Sequence, residues 1–256
     1  ILCLDKARDR AISMTDHPPP VSERGPLWGI PIAVKDYNDL AGVRTTYGSP
    51  IFADFVSERS DATVARLEAS GAIPIGKSNV PEWAGAHTFN PVFGHTRNPW
   101  NSARSAGGSS GGSGVALATG MVWLATGNDL GGSLRVPASF NGVVGLRPSP
   151  GRVPRNARLP AFDTLWVEGP MGRNIADVAL MLAGGSGHSP GDPLSFDSAG
   201  PSFSQALSGA ALPRQVAFSP DLGVVPMEPE VAEICAGAAE GFAAIGATVC
   251  RDTPDF

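Results

Sequence analysis

Short apolar runs punctuated by glycine and proline predict a chain of alternating strands and helices. The predicted strands are residues 30–34, 72–76, 215–219 and 247–250. The predicted helices are residues 1–14, 60–70, 175–182 and 229–245, together with a helix of small residues that follows a glycine- and serine-rich loop near residues 111–120. Alternation of this kind is typical of an α/β fold built in layers. The chain begins without Met inside one of these helices and stops just after the last strand, so we expect a large N-terminal part of a longer domain.

The helix predicted over residues 60–70 carries both a start and a stop signal. Ser60 suits the N-cap, Val64 and Leu67 are apolar at helical spacing, and Gly71 suits the position that follows a helix C-terminus.

Composition and charge argue against several classes of function. The 256 residues are 42% hydrophobic and 17% charged, which fits a globular domain. A net charge of −5 argues against a nucleic-acid partner, and no run of eighteen apolar residues predicts a membrane span. Three scattered cysteines show neither metal-ligand spacing nor a disulfide framework, so we predict a cytoplasmic protein without a metal. A signal sequence ahead of Ile1 would lie outside this sequence.

Two clusters rich in glycine and serine, residues 107–114 (GGSSGGSG) and 129–135 (DLGGSLR), carry most of the chemical information. A flexible linker is one interpretation, but both clusters adjoin strongly apolar segments in which a mobile spacer would pack poorly. A phosphate-binding loop is a second, but neither cluster has the lysine that a P-loop requires after its last glycine. A nucleophilic serine is the third interpretation.

Residues 107–111 match the G-x-S-x-G pattern of an α/β-hydrolase nucleophile elbow. That motif needs an apolar strand before the serine, whereas residues 96–106 (TRNPWNSARSA) are largely polar. It also needs a downstream histidine, and the only one, His188, stands in a loop-like segment. We therefore interpret the match as coincidental.

A lysine is the remaining candidate for the base that deprotonates a serine. Lys6 lies on a charged helical segment and is expected in solvent. Lys35 and Lys77 each follow an apolar run, so burial would lower the pKa of either amine and leave it neutral. The residues alone do not separate these two, and an exposed lysine or one paired with Asp36 is the alternative for Lys35.

Seven blocks, in order along the chain, resemble the amidase signature family. They are GIPIAVKD (29–36), GKSNVPEW (76–83), FGHTRNPWN (93–101), GGSSGGSG (107–114), DLGGSLRVPAS (129–139), VVGLRPSPGRVP (143–154) and VEGPMGRNIADVALML (167–182). The resemblance implies an α/β fold with a mixed central β-sheet flanked by helices on both sides. It also implies that residues 1–256 belong to one amidase signature domain whose C-terminal remainder is missing here.

The same resemblance implies a Ser–Ser–Lys triad for amide hydrolysis. Lys35 would be the base, Ser133 the nucleophile that forms an acyl-enzyme, and Ser109 the hydroxyl that relays a proton between them. The 24-residue interval from Ser109 to Ser133 is the one that family members use, and the Gly108–Ser109 peptide bond is expected to be cis. Lys77 would then be structural.

Supporting groups follow from the match with the family. The resemblance assigns the oxyanion hole to four backbone N–H groups, those of Leu130, Gly131, Gly132 and Ser133. It assigns three residues to the support of the site, namely Ser110, Asp129 and Arg135. We expect the last two to brace the nucleophile loop through hydrogen bonds or an ion pair.

Trp83 falls where family members line the acyl pocket, so it and Ser109 are predicted to contact substrate, with a core aromatic as the alternative for Trp83. Asn128 stands where the family usually has Thr or Ser, which leaves the hydrogen bonding near Ser133 open. Ala106 stands where the family commonly has Pro, so we expect a softer turn before the cis peptide.

Three functions are compatible with this match. A stand-alone amidohydrolase acting on a small-molecule amide, without a cofactor, is the leading hypothesis. The glutaminase-type A subunit of a tRNA-dependent amidotransferase shares these blocks, and a catalytically inactive binding relative is the third candidate. The intact Lys35, Ser109 and Ser133 argue against the third. We predict no nucleic-acid or membrane partner and leave a homodimer open.

Overall fold

The computed structural model describes residues 1–155, 160–197, 200 and 202–255, which form two compact units, Ile1–Leu207 and Ser208–Phe256. In chain order the helices are α1 (Leu4–Asp16), α2 (Ala62–Ala69), α3 (Gly111–Ala118), α4 (Arg135–Asn141), α5 (Ile175–Gly185), α6 (Phe203–Ser208) and α7 (Pro229–Ala244). The strands are β1 (Pro31–Lys35), β2 (Ile73–Ser78), β3 (Phe89–Asn90), β4 (Gly94–His95), β5 (Leu124–Asp129), β6 (Val144–Gly145), β7 (Val167–Gly172), β8 (Gln215–Phe218) and β9 (Thr248–Arg251).

A five-stranded sheet organises the first unit, in the order β2–β1–β5–β7–β6. Strands β2, β1 and β5 run parallel, whereas β7 is antiparallel to β5 and β6 is antiparallel to β7. Apolar clusters and helices cover both faces of this sheet. The predicted α/β fold with a mixed central sheet and helices on both sides is therefore confirmed.

Side chains of β1 alternate between the two cores, as the pleat of a strand requires. Ile32 and Val34 enter one apolar cluster, which includes Leu67 of α2. Ala33 belongs to the opposite cluster, together with Leu117 of α3. A strand buried on both faces reads as an unbroken apolar run, which is why residues 30–34 are so clear in the sequence.

The carboxyl ends of the parallel strands lie side by side along the same side of the sheet. Strand β1 ends at Lys35, its neighbour β2 ends at Ser78, and its other neighbour β5 ends at Asp129. The loop that carries Ser133 leaves this side directly after β5. In open α/β sheets the crevice outside the carboxyl ends of parallel strands is the usual place for a ligand.

Helix α2 matches the prediction over residues 60–70, except at its N-terminus. The N-cap is Asp61, so the assignment of Ser60 to this position is wrong. The Ser60 hydroxyl instead accepts the N–H of Ala41 (3.1 Å) and donates to Glu68 Oε2 (2.9 Å). Gly71 has φ +94°, the left-handed conformation expected after a helix C-terminus.

The second unit contains β8, α7 and β9, and its two strands pair in parallel. This is the strand–helix–strand arrangement predicted for residues 215–250. Within the residues that the structure describes, no helix combines the length and the apolar character that crossing a bilayer requires.

Candidate active site

Lys35, the last residue of β1, has a completely buried side chain. Its Nζ lies 2.7 Å from Ser109 Oγ and 2.5 Å from Asn128 Oδ1. Burial lowers the pKa of this amine from 10.5 to about 7, although the negative charges of Glu168 and Asp129 act in the opposite direction. An amine with this pKa is partly neutral near pH 7 and can therefore accept a proton.

Strand register separates Lys35 from Lys77. Val34 pairs with Lys77 across β1 and β2, so the side chain of Lys77 points to the face opposite that of Lys35. There its Nζ forms a buried ion pair with Asp36 (3.1 Å) and donates to Thr45 Oγ1 (2.7 Å). The alternative that Lys35 is exposed or paired with Asp36 is therefore wrong.

Ser109 precedes α3 and is fully buried. The Gly108–Ser109 peptide bond is cis, as the family resemblance implies. A Cβ atom at position 108 would overlap the carbonyl oxygen of Ala86, so this close approach of two loops requires glycine. The hydroxyl of Thr88 donates to Gly107 O (2.9 Å), which fastens the same loop from a second direction.

Ser133 is half-buried and lines a cavity at the carboxyl edge of the sheet. The N–H of Ser110 donates to Ser133 O (3.3 Å), so the loop of Ser133 is held against the residue that follows Ser109. Gly132 has φ +116°, a conformation that favours glycine, and this allows the sharp bend just before Ser133. The Ser110 hydroxyl is buried and has no hydrogen-bond partner in the described part of the chain.

Asp129 holds together the loop that carries Ser133. Its buried carboxylate accepts the N–H groups of Gly132 (2.8 Å) and Leu134 (3.1 Å) and pairs with Arg135 (3.0 Å) and Arg147 (3.1 Å). Burial raises the pKa of this carboxyl, but the hydrogen bonds from Arg135 and the loop N–H groups outweigh it and lower the pKa to about 2. The carboxylate is thus charged and engaged on both oxygens.

Replacing Asp129 with asparagine is expected to loosen this loop, because the carboxylate accepts five hydrogen bonds on its two oxygens and the amide nitrogen of asparagine cannot accept any. We expect the free energy of unfolding to fall by roughly 1–3 kcal/mol and kcat to fall by up to about 10²-fold through misplacement of Ser133. Urea unfolding and steady-state kinetics measure the two effects. Asp5→Asn, at an exposed position on α1, is the matched control, and equal behaviour of the two variants would contradict the bracing role.

One of the four N–H groups predicted to form an oxyanion hole is already engaged in a hydrogen bond. The N–H of Gly132 already donates to Asp129, so it is not free for a substrate oxygen. Leu130 and Gly131 line the cavity together with Ser133. The N–H groups of these three residues remain the predicted donors.

A cavity of about 480 Å³ adjoins Ser133, and its wall is mainly apolar. The larger apolar side chains on this wall are those of Trp83, Leu130, Val136 and Trp166. Trp83 is 50% exposed and stacks on the Tyr47 ring, with centroids 5.5 Å apart. Trp83 therefore lies on the cavity wall and not in the core. This position is compatible with the predicted contact between Trp83 and a substrate.

The two departures from the family pattern have local compensation. Asn128 Oδ1 faces the Lys35 amine, in the place where a hydroxyl is usual, while Asn128 Nδ2 has no partner among the described residues. The carbonyl of Ala106 accepts a hydrogen bond from Asn141 Nδ2 (2.8 Å), which also donates to Pro137 O (2.7 Å). This amide ties the turn before Ser109 to α4 without a proline.

Three residues of the site were missed in the sequence, namely Glu168, Trp166 and Asn38. Glu168 is completely buried within β7 and accepts hydrogen bonds from Trp166 Nε1 (2.9 Å) and Asn38 Nδ2 (3.2 Å). Burial raises the pKa of the Glu168 carboxyl, while these two hydrogen bonds lower it. The sequence signal that could have identified Glu168 is a single carboxylate between apolar residues in VEGPMG.

Within the described residues, no cluster of histidine, cysteine or acidic side chains has the composition of a metal site.

The central sheet thus brings the buried lysine and the two serine-bearing loops together in one candidate active site. The chain belongs to the amidase family, whose model, described as Amidase, matches residues 1–255.

Similar proteins have several activities. The chain is 39% identical to an acylamidase from Rhodococcus erythropolis, over 91% of this chain and 49% of the acylamidase. It is 42% identical to the A subunit of the glutamyl-tRNA(Gln) amidotransferase from Moorella thermoacetica, over 90% of this chain and 47% of that protein. A crystal structure of a bacterial aryl acylamidase of the amidase signature family superposes with a TM-score of 0.89 at 30% identity, covering 98% of this chain and 53% of that one. The chain thus spans about half the length of these relatives.

Proposed function

We propose that this protein hydrolyses the C–N bond of a carboxylic amide, with Ser133 as nucleophile, Ser109 as proton relay and Lys35 as base. The observation that carries the proposal is the 2.7 Å contact between the buried Lys35 Nζ and Ser109 Oγ. An amine with a lowered pKa, held against a buried hydroxyl that neighbours a serine on a cavity wall, has little structural use beyond proton transfer.

The proposed reaction runs in two halves. Ser133 Oγ attacks the amide carbonyl while its proton passes to Ser109 and the proton of Ser109 passes to Lys35. The resulting ammonium returns a proton by the same route to the leaving amine, and the C–N bond breaks to give an acyl-enzyme. Water then attacks the ester, Lys35 again accepts and returns a proton, and the carboxylic acid leaves.

The N–H groups of Leu130, Gly131 and Ser133 would stabilise the negative charge that develops on the carbonyl oxygen. Each such donor is worth about 3–4 kcal/mol in other serine hydrolases. The wall formed by Trp83 and Trp166 favours a small amide with an apolar or aromatic group. The acylamidase names of two of the proteins compared above support the same substrate class.

Labelling with a fluorophosphonate tests the proposal directly. We expect the purified full-length protein to form a covalent adduct at Ser133, because only an activated serine hydroxyl displaces fluoride from this reagent at neutral pH. Peptide mapping by mass spectrometry locates the adduct, and Ser139→Ala, an exposed serine on α4, is the matched control. An adduct at Ser109 with Ser133 unmodified would contradict the assignment of the nucleophile and favour the elbow interpretation.

Release of ammonia from glutamine, on behalf of a tRNA-dependent amidotransferase, is the second candidate function. It is favoured by the 42% identity to a component of such an enzyme. Co-purification of a second protein together with tRNA-dependent amidation would support it. Hydrolysis of aryl or acyl amides by the isolated protein, without glutaminase activity, would favour the stand-alone amidase.

A further inference from the structure

Glu168 is a buried acid for which the reaction proposed above has no use. It lies on β7, an inner strand of the five-stranded sheet, and is 2% exposed, and the other residues of this strand are also buried. Burial of a carboxylate costs several kcal/mol unless other groups compensate it. In the described part of the chain its hydrogen-bond partners, Trp166 and Asn38, are both neutral. A cation near Glu168 is therefore the missing compensation.

Strand register points to Lys35 as that cation. Glu168 of β7 is the direct partner of Asn128 of β5, so the two side chains leave the same face of the sheet about 5 Å apart. Asn128 Oδ1 in turn contacts Lys35 Nζ at 2.5 Å. The other charged groups that act on this pair are Asp129, which raises the pKa of Lys35, and Asp61, which raises that of Glu168.

A hydrogen-bonded chain fixes the carboxylate in this position. Asn38 Nδ2 donates to Glu168 Oε2, and Asn38 Oδ1 accepts the hydroxyl of Thr126 (3.3 Å). The Thr126 hydroxyl accepts the backbone N–H of Lys35 (2.8 Å), which closes the chain at the lysine itself. Trp166 Nε1 donates to the other carboxylate oxygen, Oε1. Because both oxygens accept hydrogen bonds, the arrangement suits the ionised form of the acid.

We propose that Glu168 is a positioning residue for the reaction, whose buried negative charge keeps Lys35 basic enough to take a proton and to hold it until the leaving amine requires it. Without this charge, Asp129 alone of these two anions would oppose the effect of burial, and Lys35 would be a weaker base. A catalytic group serves best when its pKa lies near the working pH, since it must both accept and donate. This inference rests on the proposed function, because it assigns Glu168 a role through Lys35.

The pH dependence of fluorophosphonate labelling at Ser133 tests this role. For the wild-type protein the rate should rise with pH, with a midpoint near the Lys35 pKa of about 7. In Glu168→Gln the midpoint should move down by about one pH unit, because loss of an anion favours the neutral amine. The plateau rate should fall at the same time, because a weaker base removes the serine proton less readily. Glu168→Asp keeps the charge and should restore a midpoint near that of the wild type.

Further measurements distinguish failure of the Glu168 inference from failure of the proposed function. If Glu168→Gln unfolds, Trp166→Phe removes one hydrogen bond from the carboxylate and should move the midpoint in the same direction by less. A folded Glu168→Gln protein, labelled at Ser133 with an unchanged midpoint, would overturn the inference and leave the proposed function intact. A wild-type protein without any adduct at Ser133 would instead overturn the proposed function on which the inference rests.

Discussion

Ser133→Ala is expected to lower kcat for amide hydrolysis by about 10⁴–10⁶-fold, the largest effect of any single substitution in this protein. Without the hydroxyl no acyl-enzyme forms, and the remaining donors can only assist a direct attack by water. The variant should bind substrate with an affinity similar to that of the wild type, since Ser133 contributes one small group to a cavity of about 480 Å³. Steady-state kinetics with an aryl amide, together with calorimetric binding, measure the two quantities.

The control for this experiment is Ser139→Ala, which removes an exposed hydroxyl on α4, the helix that directly follows the nucleophile loop. It should retain wild-type turnover. Retention of more than about one hundredth of the activity by Ser133→Ala would contradict the assignment, because residual catalysis by oxyanion donors alone does not reach that level.

Lys35→Met is expected to lower kcat by roughly 10²–10⁴-fold, the usual contribution of a general base. Methionine fills a similar volume but cannot accept the proton that Ser109 passes on. The wild-type rate should rise with pH through the Lys35 pKa of about 7, because only the neutral amine is a base. The variant should lack this limb, and its residual rate should continue to rise as hydroxide removes the serine proton. Rates measured between pH 5 and pH 10 distinguish the two profiles.

Lys6→Met is the control for the loss of a lysine, since Lys6 is exposed on α1 and its amine donates a hydrogen bond to the carbonyl of Ala41 at 2.5 Å. Its pH profile should match that of the wild type. If Lys35→Met retained both the rate and the limb near pH 7, another group would be the base, and the Lys35–Ser109 contact would be structural.

Much of the fold could be predicted because buried strands and amphipathic helices leave separate patterns. Strand β1 is an unbroken apolar run, and α5 combines the N-cap Asn174, whose side chain accepts the N–H of Asp177 (2.8 Å), with an apolar face. Strands β5 and β7 were missed for a physical reason. The sequence of β5, LATGND, and that of β7, VEGPMG, contain glycine, proline and polar residues that normally disfavour strands. Their polar side chains are buried because they form the hydrogen-bonded network of the site.

The candidate site was predictable only where it rests on local sequence. The family resemblance supplied Lys35, Ser109 and the cis peptide bond, whereas composition and spacing left Lys35 and Lys77 equivalent. The register of β1 against β2 decides between them, and register is a property of two distant segments. Glu168 was missed for the same reason, because its relation to Lys35 depends on the pairing of β5 with β7.

The N-cap of α2 and the donor role of Gly132 show a different limit. Ser60 and Asp61 are both good N-cap residues, and the choice between them depends on where the hydroxyl of Ser60 finds its partners. The N–H of Gly132 belongs to a motif that resembles an oxyanion hole, but the neighbouring carboxylate of Asp129 already accepts it. Which of several possible partners a donor or acceptor bonds depends on the three-dimensional structure, so it could not be predicted from the sequence.

The complete burial of Lys35 and Ser109 has a consequence for proton transfer and its response to buffers. Neither side chain touches the surrounding liquid, so in the proposed reaction a proton taken from Ser133 would stay within the protein until the leaving nitrogen accepts it. Dissolved acids and bases such as phosphate or imidazole would not reach the side chains of Lys35 and Ser109. We therefore expect the rate of the proposed reaction to depend on pH, but not on the identity or the concentration of the buffer.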